Sequence, residues 1–125
     1  MDKTIRRSRA EGSVTAPSSK SYAQRAVAAA LLCEGTSTLT NMILCDDTRA
    51  ALQVAADLGA EVEAGTDGTT YTVRGGLRPH AQAIHIGESG LAARLFTPIA
   101  ALCGERITIT GQGSILRRPL AMMEK

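Results

Sequence analysis

The sequence predicts a protein of the α/β (α+β) class, in which helices pack against mixed sheets. Segments with the apolar spacing of helices alternate with short segments whose apolar and polar residues alternate, as they do in strands. Two strand-like segments flank Asp67-Gly68, a strong hairpin signal. The 125 residues are 44% hydrophobic and 21% charged, which is a globular balance. We expect residues 1–125 to form one domain or part of one.

The amino-terminal segment is predicted to hold two short strands, at residues 4–9 and 12–15. Basic residues cluster in this segment, which indicates either an edge strand protected by charge or an arm that binds phosphate. They are Lys3, Arg6, Arg7 and Arg9.

A first helix is predicted over residues 19–33, where the sequence is rich in alanine. Gly35 stands at the position where helices commonly stop. The threonine-rich segment at residues 36–42 alternates weakly, so a strand is predicted there.

The second helix is predicted to be capped by Asp46 or Asp47 and to stop at Gly59. A hairpin follows, with strands at residues 61–64 and 70–73. The second helix should bury the residues with i, i+3, i+4, i+7 spacing, namely Ala51, Val54, Ala55 and Leu58.

The last part of the chain predicts a strand at Ile84 and Ile86, a third helix, and a strand at residues 105–110. Pro98 lies inside the third helix, which is therefore expected to kink or to form in two pieces. A further helix is expected to start before Lys125. The inner face of the third helix is predicted to hold Leu91, Leu95, Ile99 and Leu102.

The composition excludes several classes of protein. The net charge of +2 is too small to indicate a nucleic-acid or membrane partner, and 2% aromatic residues offer few stacking platforms for RNA. No apolar run is long enough to span a bilayer. Small side chains dominate, so a thin core that packs against more protein is expected.

The three cysteines predict a reduced, cytoplasmic protein. Their number is odd, and the sequence has neither a Cys-x-x-Cys pair nor a signal-peptide pattern. Cys33 and Cys103 fall on apolar helical segments, where small buried side chains are expected. The two histidines show no ligand spacing, so no metal ion is expected.

The strongest functional signal is the start of the first helix. Ser18 or Ser19 can cap it. Lys20 and Ser21 lie in its first turn, and Arg25 follows one turn later. Because a helix N-terminus is already positive, added cations are unfavourable there unless an anion binds among them. Solvated basic residues behind an ordinary cap are the alternative.

Two more segments carry glycines and arginines. Gly90 opens the third helix, where a backbone N–H can approach a ligand, and Arg94 lies one turn further on. The loop at residues 111–119 carries Arg117 and Arg118. Two helix starts with downstream arginines indicate a site for several anionic groups. A structural glycine and solvated arginines are the simpler alternatives.

Four motifs, in this order, resemble the EPSP synthase (3-phosphoshikimate 1-carboxyvinyltransferase) family. That family has Pro-Gly-Ser-Lys-Ser…Arg, then Asp-Asp, then Gly-Asn-Ala-Gly-Thr-Ala…Arg, then Thr-Gly…Arg-Pro. The corresponding segments here are Pro17-Ser18-Ser19-Lys20-Ser21…Arg25, Asp46-Asp47, Gly87-Glu88-Ser89-Gly90-Leu91-Ala92…Arg94 and Thr110-Gly111…Arg118-Pro119.

The resemblance implies part of an enolpyruvyl transferase domain built from βαβαββ repeats. Such enzymes transfer the carboxyvinyl group of phosphoenolpyruvate to shikimate 3-phosphate, on the shikimate pathway to aromatic amino acids. The resemblance further implies that Lys20 contacts both substrates, that Ser21 and Arg25 bind shikimate 3-phosphate, and that Gly90 lies at the phosphoenolpyruvate site. It implies no metal or organic cofactor. The catalytic acid–base groups are expected in a missing remainder of the enzyme, so this chain alone is expected to be inactive.

Two departures from the family pattern concern the phosphoenolpyruvate site. Glu88 replaces an asparagine, and its carboxylate needs a partner, for which Arg94 is the candidate. Ser114 aligns with a phosphoenolpyruvate-binding arginine of the family, and Arg117 or Arg118 is the possible substitute. The competing functions are an enolpyruvyl transferase for UDP-N-acetylglucosamine and a non-catalytic phosphate-binding module.

Overall fold

Short helices and strands alternate along the chain, which confirms the predicted α+β class. The computed structural model describes residues 2–121. Over this range the elements are helices α1 (Lys20–Leu32), α2 (Asp46–Asp57) and α3 (Gly90–Ala101), strands β1 (Thr36–Leu39), β2 (Glu61–Ala64), β3 (Tyr71–Arg74), β4 (Ala83–His85) and β5 (Thr108–Thr110), and a short 3₁₀ helix (Gly113–Arg117).

The strands form two small sheets, one antiparallel in the order β1-β3-β2 and one in which β4 and β5 pair in parallel. The predicted hairpin is confirmed, with Val62 opposite Val73. At its turn, Gly68 has a φ of +70°, and the Asp67 carboxylate accepts the backbone N–H of Thr70 at 2.8 Å. Hydrogen bonds from the hydroxyl of Thr70 and from the backbone N–H groups of Thr69 and Thr70 lower the pKa of Asp67 to about 2.

The core forms where α1 packs against α2 and α3. The predicted inner face of α2 is confirmed, because each of its four residues is fully buried. From α1, Val27 and Leu31 are fully buried as well. Alanine is the commonest of the buried helical residues, so the helix backbones can approach one another closely.

The predicted inner face of α3 is wrong in part. Ile99 is buried, but Leu102 is 69% exposed, and Leu91 and Leu95 are only partly buried. The leucine spacing gave too much weight to large side chains. The face of α3 that the core buries combines Phe96 and Ile99 with small residues. The helix continues through Pro98 without a break. Its other buried residues are Gly90, Ala92, Ala93, Phe96 and Ala100.

The two strands predicted at residues 4–9 and 12–15 do not form. The apolar residues Ile5 and Val14 are 93% and 95% exposed. A strand needs a hydrogen-bonded neighbour, and no strand within residues 2–121 pairs with this segment. Its basic cluster therefore lies on an irregular, solvated segment.

The start of α2 differs from the prediction. Cys45, not Asp46 or Asp47, is the N-cap residue. The hydroxyl of Thr48 accepts the Cys45 backbone N–H at 2.8 Å, which closes a capping box. Both aspartates consequently lie in the first turn, where their negative charge interacts favourably with the positive end of the helix.

The end of α1 also differs from the prediction. The helix ends at Leu32, and Cys33 follows as an extended cap, so the helix ends before Gly35. Cys33 is exposed rather than buried, because the chain leaves the inner face of the helix there. Cys103 is partly buried. The helix expected before Lys125 falls in part on residues 122–125, which lie outside the described residues.

None of the helices within residues 2–121 has both the length and the apolar character needed to cross a membrane.

We predict that Gly75→Ala destabilises the protein at the point where β3 passes the end of α1. A Cβ at Gly75 would collide with the carbonyl oxygens of Ala30 and Cys33. We expect the free energy of unfolding to fall by about 1–3 kcal/mol, measured by urea denaturation. Gly35→Ala is the control, since its Cβ would meet only the Cys33 sulfur at an ordinary 3.7 Å. Equal stability of the two variants would contradict the prediction.

Candidate functional site

A polar cavity of about 360 Å³ lies between the first turns of α1 and α3. α1 contributes Lys20 and Ser21, α3 contributes Gly90, and the 3₁₀ segment contributes Ser114 and Arg118. Three segments that are distant in the sequence, and that carried the anion-binding signals, therefore meet in one place.

The start of α1 is held by Ser19. Its hydroxyl oxygen accepts the backbone N–H of Tyr22 at 3.3 Å, so Ser19 is the cap. The hydroxyl of Ser18 instead accepts the backbone N–H of Ile43 at 3.1 Å and ties α1 to the loop before α2. The two serines thus have different roles, since Ser19 caps α1 and Ser18 ties it to the loop before α2.

Lys20 forms an ion pair across the cavity with Asp47, at 3.0 Å between Nζ and Oδ2. The hydrogen bond and the charge of Asp47 raise the pKa of Lys20 above its usual value. Lys20 is therefore a cation at neutral pH. An anion that enters the cavity has to share Lys20 with Asp47 or displace it.

The start of α3 is held by Ser89, whose hydroxyl oxygen accepts the backbone N–H of Ala92 at 3.1 Å. A Cβ at Gly90 would stand 2.7 Å from a guanidinium nitrogen of Arg118, so the Arg118 side chain would have to move. The missing side chain lets Arg118 lie across the N-terminus of α3. Arg94 turns back and donates to the Gly90 carbonyl at 2.9 Å.

Glu88 is paired with the 3₁₀ segment and not, as expected, with Arg94. Its carboxylate accepts the backbone N–H of Ser114 at 3.0 Å. Hydrogen bonds from the backbone and side chain of Ser114, with smaller effects of Arg118 and Arg117, lower the pKa of Glu88. Arg94 was the wrong candidate because its guanidinium already serves the carbonyl one turn behind it.

Of the four predicted site residues, Lys20, Ser21 and Gly90 line the cavity. Arg25 does not line it. Arg25 is exposed, and its guanidinium donates to the Ser21 carbonyl at 3.0 Å, which places it beside the rim of the cavity.

Seven of the residues that line the cavity were not among the predicted site residues, and three of them contribute polar or charged groups that the sequence did not assign to a site. Gln24 lies four residues after Lys20, so the helical repeat already placed it on the same face. Asp47 was interpreted as a candidate helix cap and as part of the Asp46-Asp47 motif. Arg118 was left as a possible substitute, because nothing in the sequence shows that its side chain crosses Gly90.

The cavity is suited to a ligand with several negatively charged oxygens. Two helix N-termini converge on it, and their N–H groups favour anions. Lys20 adds a point charge and Arg118 a forked donor, and Arg118 forms no ion pair within residues 2–121. In the same part of the chain, no group of three His, Cys, Asp or Glu side chains is placed to hold a metal ion.

Comparisons with known proteins point to a single family. The family model described as EPSP synthase (3-phosphoshikimate 1-carboxyvinyltransferase) matches residues 5–125. The 3-phosphoshikimate 1-carboxyvinyltransferase of Chlamydia caviae is 40% identical over 111 residues, which cover 88% of this chain and 25% of that protein. That of Methanothermobacter thermautotrophicus is 36% identical over 121 residues, covering 96% and 29%.

A solved structure shares the fold. EPSP synthase from Acinetobacter baumannii matches with a TM-score of 0.72 at 28% identity, over 90% of this chain and 26% of that one. The chain therefore spans about a quarter of the length of the relatives that it matches.

We predict that the Glu88–Ser114 bond breaks in acid. The pKa of Glu88 in the folded protein lies below its ordinary value of 4.5. The stabilisation that the Glu88–Ser114 bond contributes is therefore present above pH 4.5 and is lost as the pH falls through the lowered pKa. In a pH titration by ¹⁵N NMR, we expect the Ser114 amide resonance to move with a midpoint below 4.5. In Glu88→Gln, this movement should disappear, while the amide of Thr70 still reports Asp67. A Ser114 resonance that does not move in the parent chain would contradict the prediction.

Proposed function

Because the chain belongs to the EPSP synthase family, we propose that it forms one wall of the site at which such an enzyme transfers the carboxyvinyl group of phosphoenolpyruvate to shikimate 3-phosphate. The observation that carries the proposal is the convergence of Lys20, Gly90 and Arg118 on one cavity at two helix N-termini. The four motifs on which the resemblance rests are spread over the matched residues, and the family membership that they predicted is confirmed.

The chemistry of the substrates fits this cavity. Each carries a phosphate and a carboxylate, so together they bring several anionic oxygens to one place. Lys20 and Arg118 supply positive charge, and the first turns of α1 and α3 supply backbone N–H groups. A cavity that is polar and open at the surface suits substrates that arrive fully hydrated.

The roles proposed for individual residues follow from their positions. Lys20 lies between the two helix starts and contacts both substrates. Ser21 binds shikimate 3-phosphate, and Arg25 joins it from the rim. Gly90 and Arg118 form the phosphoenolpyruvate side, where Arg118 supplies the guanidinium that the side chain of Ser114 cannot.

These residues act by holding charge in place. Addition of the hydroxyl to phosphoenolpyruvate and the later loss of phosphate pass through a tetrahedral intermediate, and both steps redistribute negative charge. Lys20, whose ammonium group lies 3.0 Å from the Asp47 carboxylate before an anion enters, supplies positive charge that stabilises it. We place the acid–base groups in the three quarters of the relatives' length that this chain does not match.

A cytoplasmic location is part of the proposal. The described cysteines, Cys33, Cys45 and Cys103, are all free thiols, which is the state expected in a reducing compartment.

We predict that Lys20→Met weakens the binding of shikimate 3-phosphate and of phosphoenolpyruvate by about tenfold to a hundredfold. Loss of a charge-assisted hydrogen bond to an anion has an effect of this size. The measurement is isothermal titration calorimetry of the 125-residue chain with each substrate.

Arg74→Met is the matched control for that experiment. Arg74 pairs with Glu61 on the antiparallel sheet at 3.4 Å and lies outside the cavity lining. Arg74→Met removes one positive charge from the protein, as Lys20→Met does, so we expect the affinities of Arg74→Met for both substrates to match those of the parent chain. Equal losses in both variants would show an effect of net charge alone and would contradict the proposed site.

We further predict that the 125-residue chain binds the substrates without turning them over. The described cavity has cations and backbone donors on one wall, and the second wall is expected from the rest of an enzyme of the relatives' length. The measurement is phosphate release in the presence of both substrates, with a full-length relative as the positive control. Release at a rate near that of the relative would overturn this expectation.

A further inference from the structure

Gln24 is the most deeply buried polar side chain at the cavity. It lies on α1, four residues after Lys20, and is 1% exposed. A buried amide is costly unless its oxygen and its nitrogen both have partners. The surroundings of each atom therefore indicate what the side chain does.

The oxygen of Gln24 is held by Ser89. The Ser89 hydroxyl accepts the backbone N–H of Ala92 at 3.1 Å, so its own hydrogen remains to be donated. It donates that hydrogen to Oε1 of Gln24 at 2.9 Å. In this arrangement Oε1 of Gln24 faces Ser89, and Nε2 is the end of the amide that remains to find an acceptor.

The nitrogen of Gln24 is left facing the cavity. Nε2 forms no hydrogen bond within residues 2–121, yet no fully enclosed side-chain nitrogen or oxygen in that range lacks a partner. These two observations indicate that Nε2 keeps a small accessible surface and is not enclosed beside a protein partner. Gln24 lines the cavity between the two helix starts, and that cavity is the open space beside it.

We infer that Gln24 is a further ligand-binding residue, whose amide nitrogen donates a hydrogen bond to an oxygen of the anion bound between Lys20 and Gly90. The inference rests on the proposed function, because it takes its ligand from the same cavity. Nε2 carries only donors, so its partner is an acceptor such as a phosphate or carboxylate oxygen.

Gln24 differs from the cations around it in what it contributes. Its donor is neutral and already oriented by Ser89, so it adds directional selectivity for an oxygen without adding charge. The same bond joins α1 to α3, so the position of the donor follows the distance between the two helix starts. Ser89 therefore acts as a positioning residue.

The test follows the side-chain NH₂ resonances of the parent chain by ¹⁵N NMR during addition of phosphoenolpyruvate or shikimate 3-phosphate. We expect the Gln24 pair, assigned by through-bond correlation to the Gln24 backbone resonances, to shift together with the backbone amides of Lys20 and Gly90. The NH₂ of Gln53 is an internal control, because it donates to Asp57 at 2.8 Å on the exposed face of α2 and should not move.

Affinity gives a second readout. We expect Gln24→Met, which keeps the length of the side chain but has no donor, to weaken binding at least tenfold. The matched control Gln53→Met should leave binding unchanged. The parent-chain resonances need no variant, so the test stands even if Gln24→Met folds poorly.

The outcomes separate the two proposals. Shifts at Lys20 and Gly90 with no shift at the Gln24 NH₂ would overturn the role of Gln24 and leave the proposed function standing. The absence of any shift at saturating concentrations of both substrates would overturn both. A shift at Gln24 but not at Gln53 would support the inference.

Discussion

The site depends on one buried hydrogen bond, which joins Ser89 at the start of α3 to Gln24 on α1. Both partners are almost completely buried, and the bond links residues that are 65 positions apart in the sequence. Because the Ser89 hydroxyl also caps α3, the geometry of the cap and the spacing of the two helices are set together. The convergence of two positive helix ends would otherwise be opposed by their own repulsion.

Small residues make this convergence possible. The alanines of α1, α2 and α3 allow the helices to pack closely, so the side chains of Ser89 and Gln24 can reach each other across the gap between α3 and α1. Gly90 continues the same theme at the surface of the cavity, where the absence of a Cβ admits the guanidinium of Arg118. Small residues therefore account both for the close packing of the helices and for the close contacts at the polar site.

Local signals in the sequence predicted much of the fold. The apolar face of α2 and the Asp67-Gly68 turn are encoded by neighbouring residues, and both were confirmed. The amino-terminal strands were wrong because a strand depends on a partner that no local pattern specifies. The inner face of α3 was wrong because tertiary packing preferred alanines and Phe96 to the more prominent leucines.

The same distinction applies to the site. Lys20, Ser21 and Gly90 could be identified because each lies at a helix start, where backbone geometry alone creates an attraction for anions. Asp47 and Arg118 reach the cavity through long-range contacts, and the pairing of Glu88 with Ser114 crosses 26 positions in the sequence. Such contacts form only when the chain folds, so they cannot be predicted from the spacing of residues along the sequence.

The ion pair between Lys20 and Asp47 has a consequence for selectivity. Asp47 is a counterion that is fixed to the protein. An anion that enters the cavity has to share Lys20 with the Asp47 carboxylate or displace it. A carboxylate fixed to the protein competes at a high effective concentration, and a small monovalent ion such as chloride gains little by replacing it. A dianion or a ligand with several charged groups gains contacts with both helix starts that Asp47 does not make. The geometry therefore favours a ligand with several charged groups over a small monovalent anion.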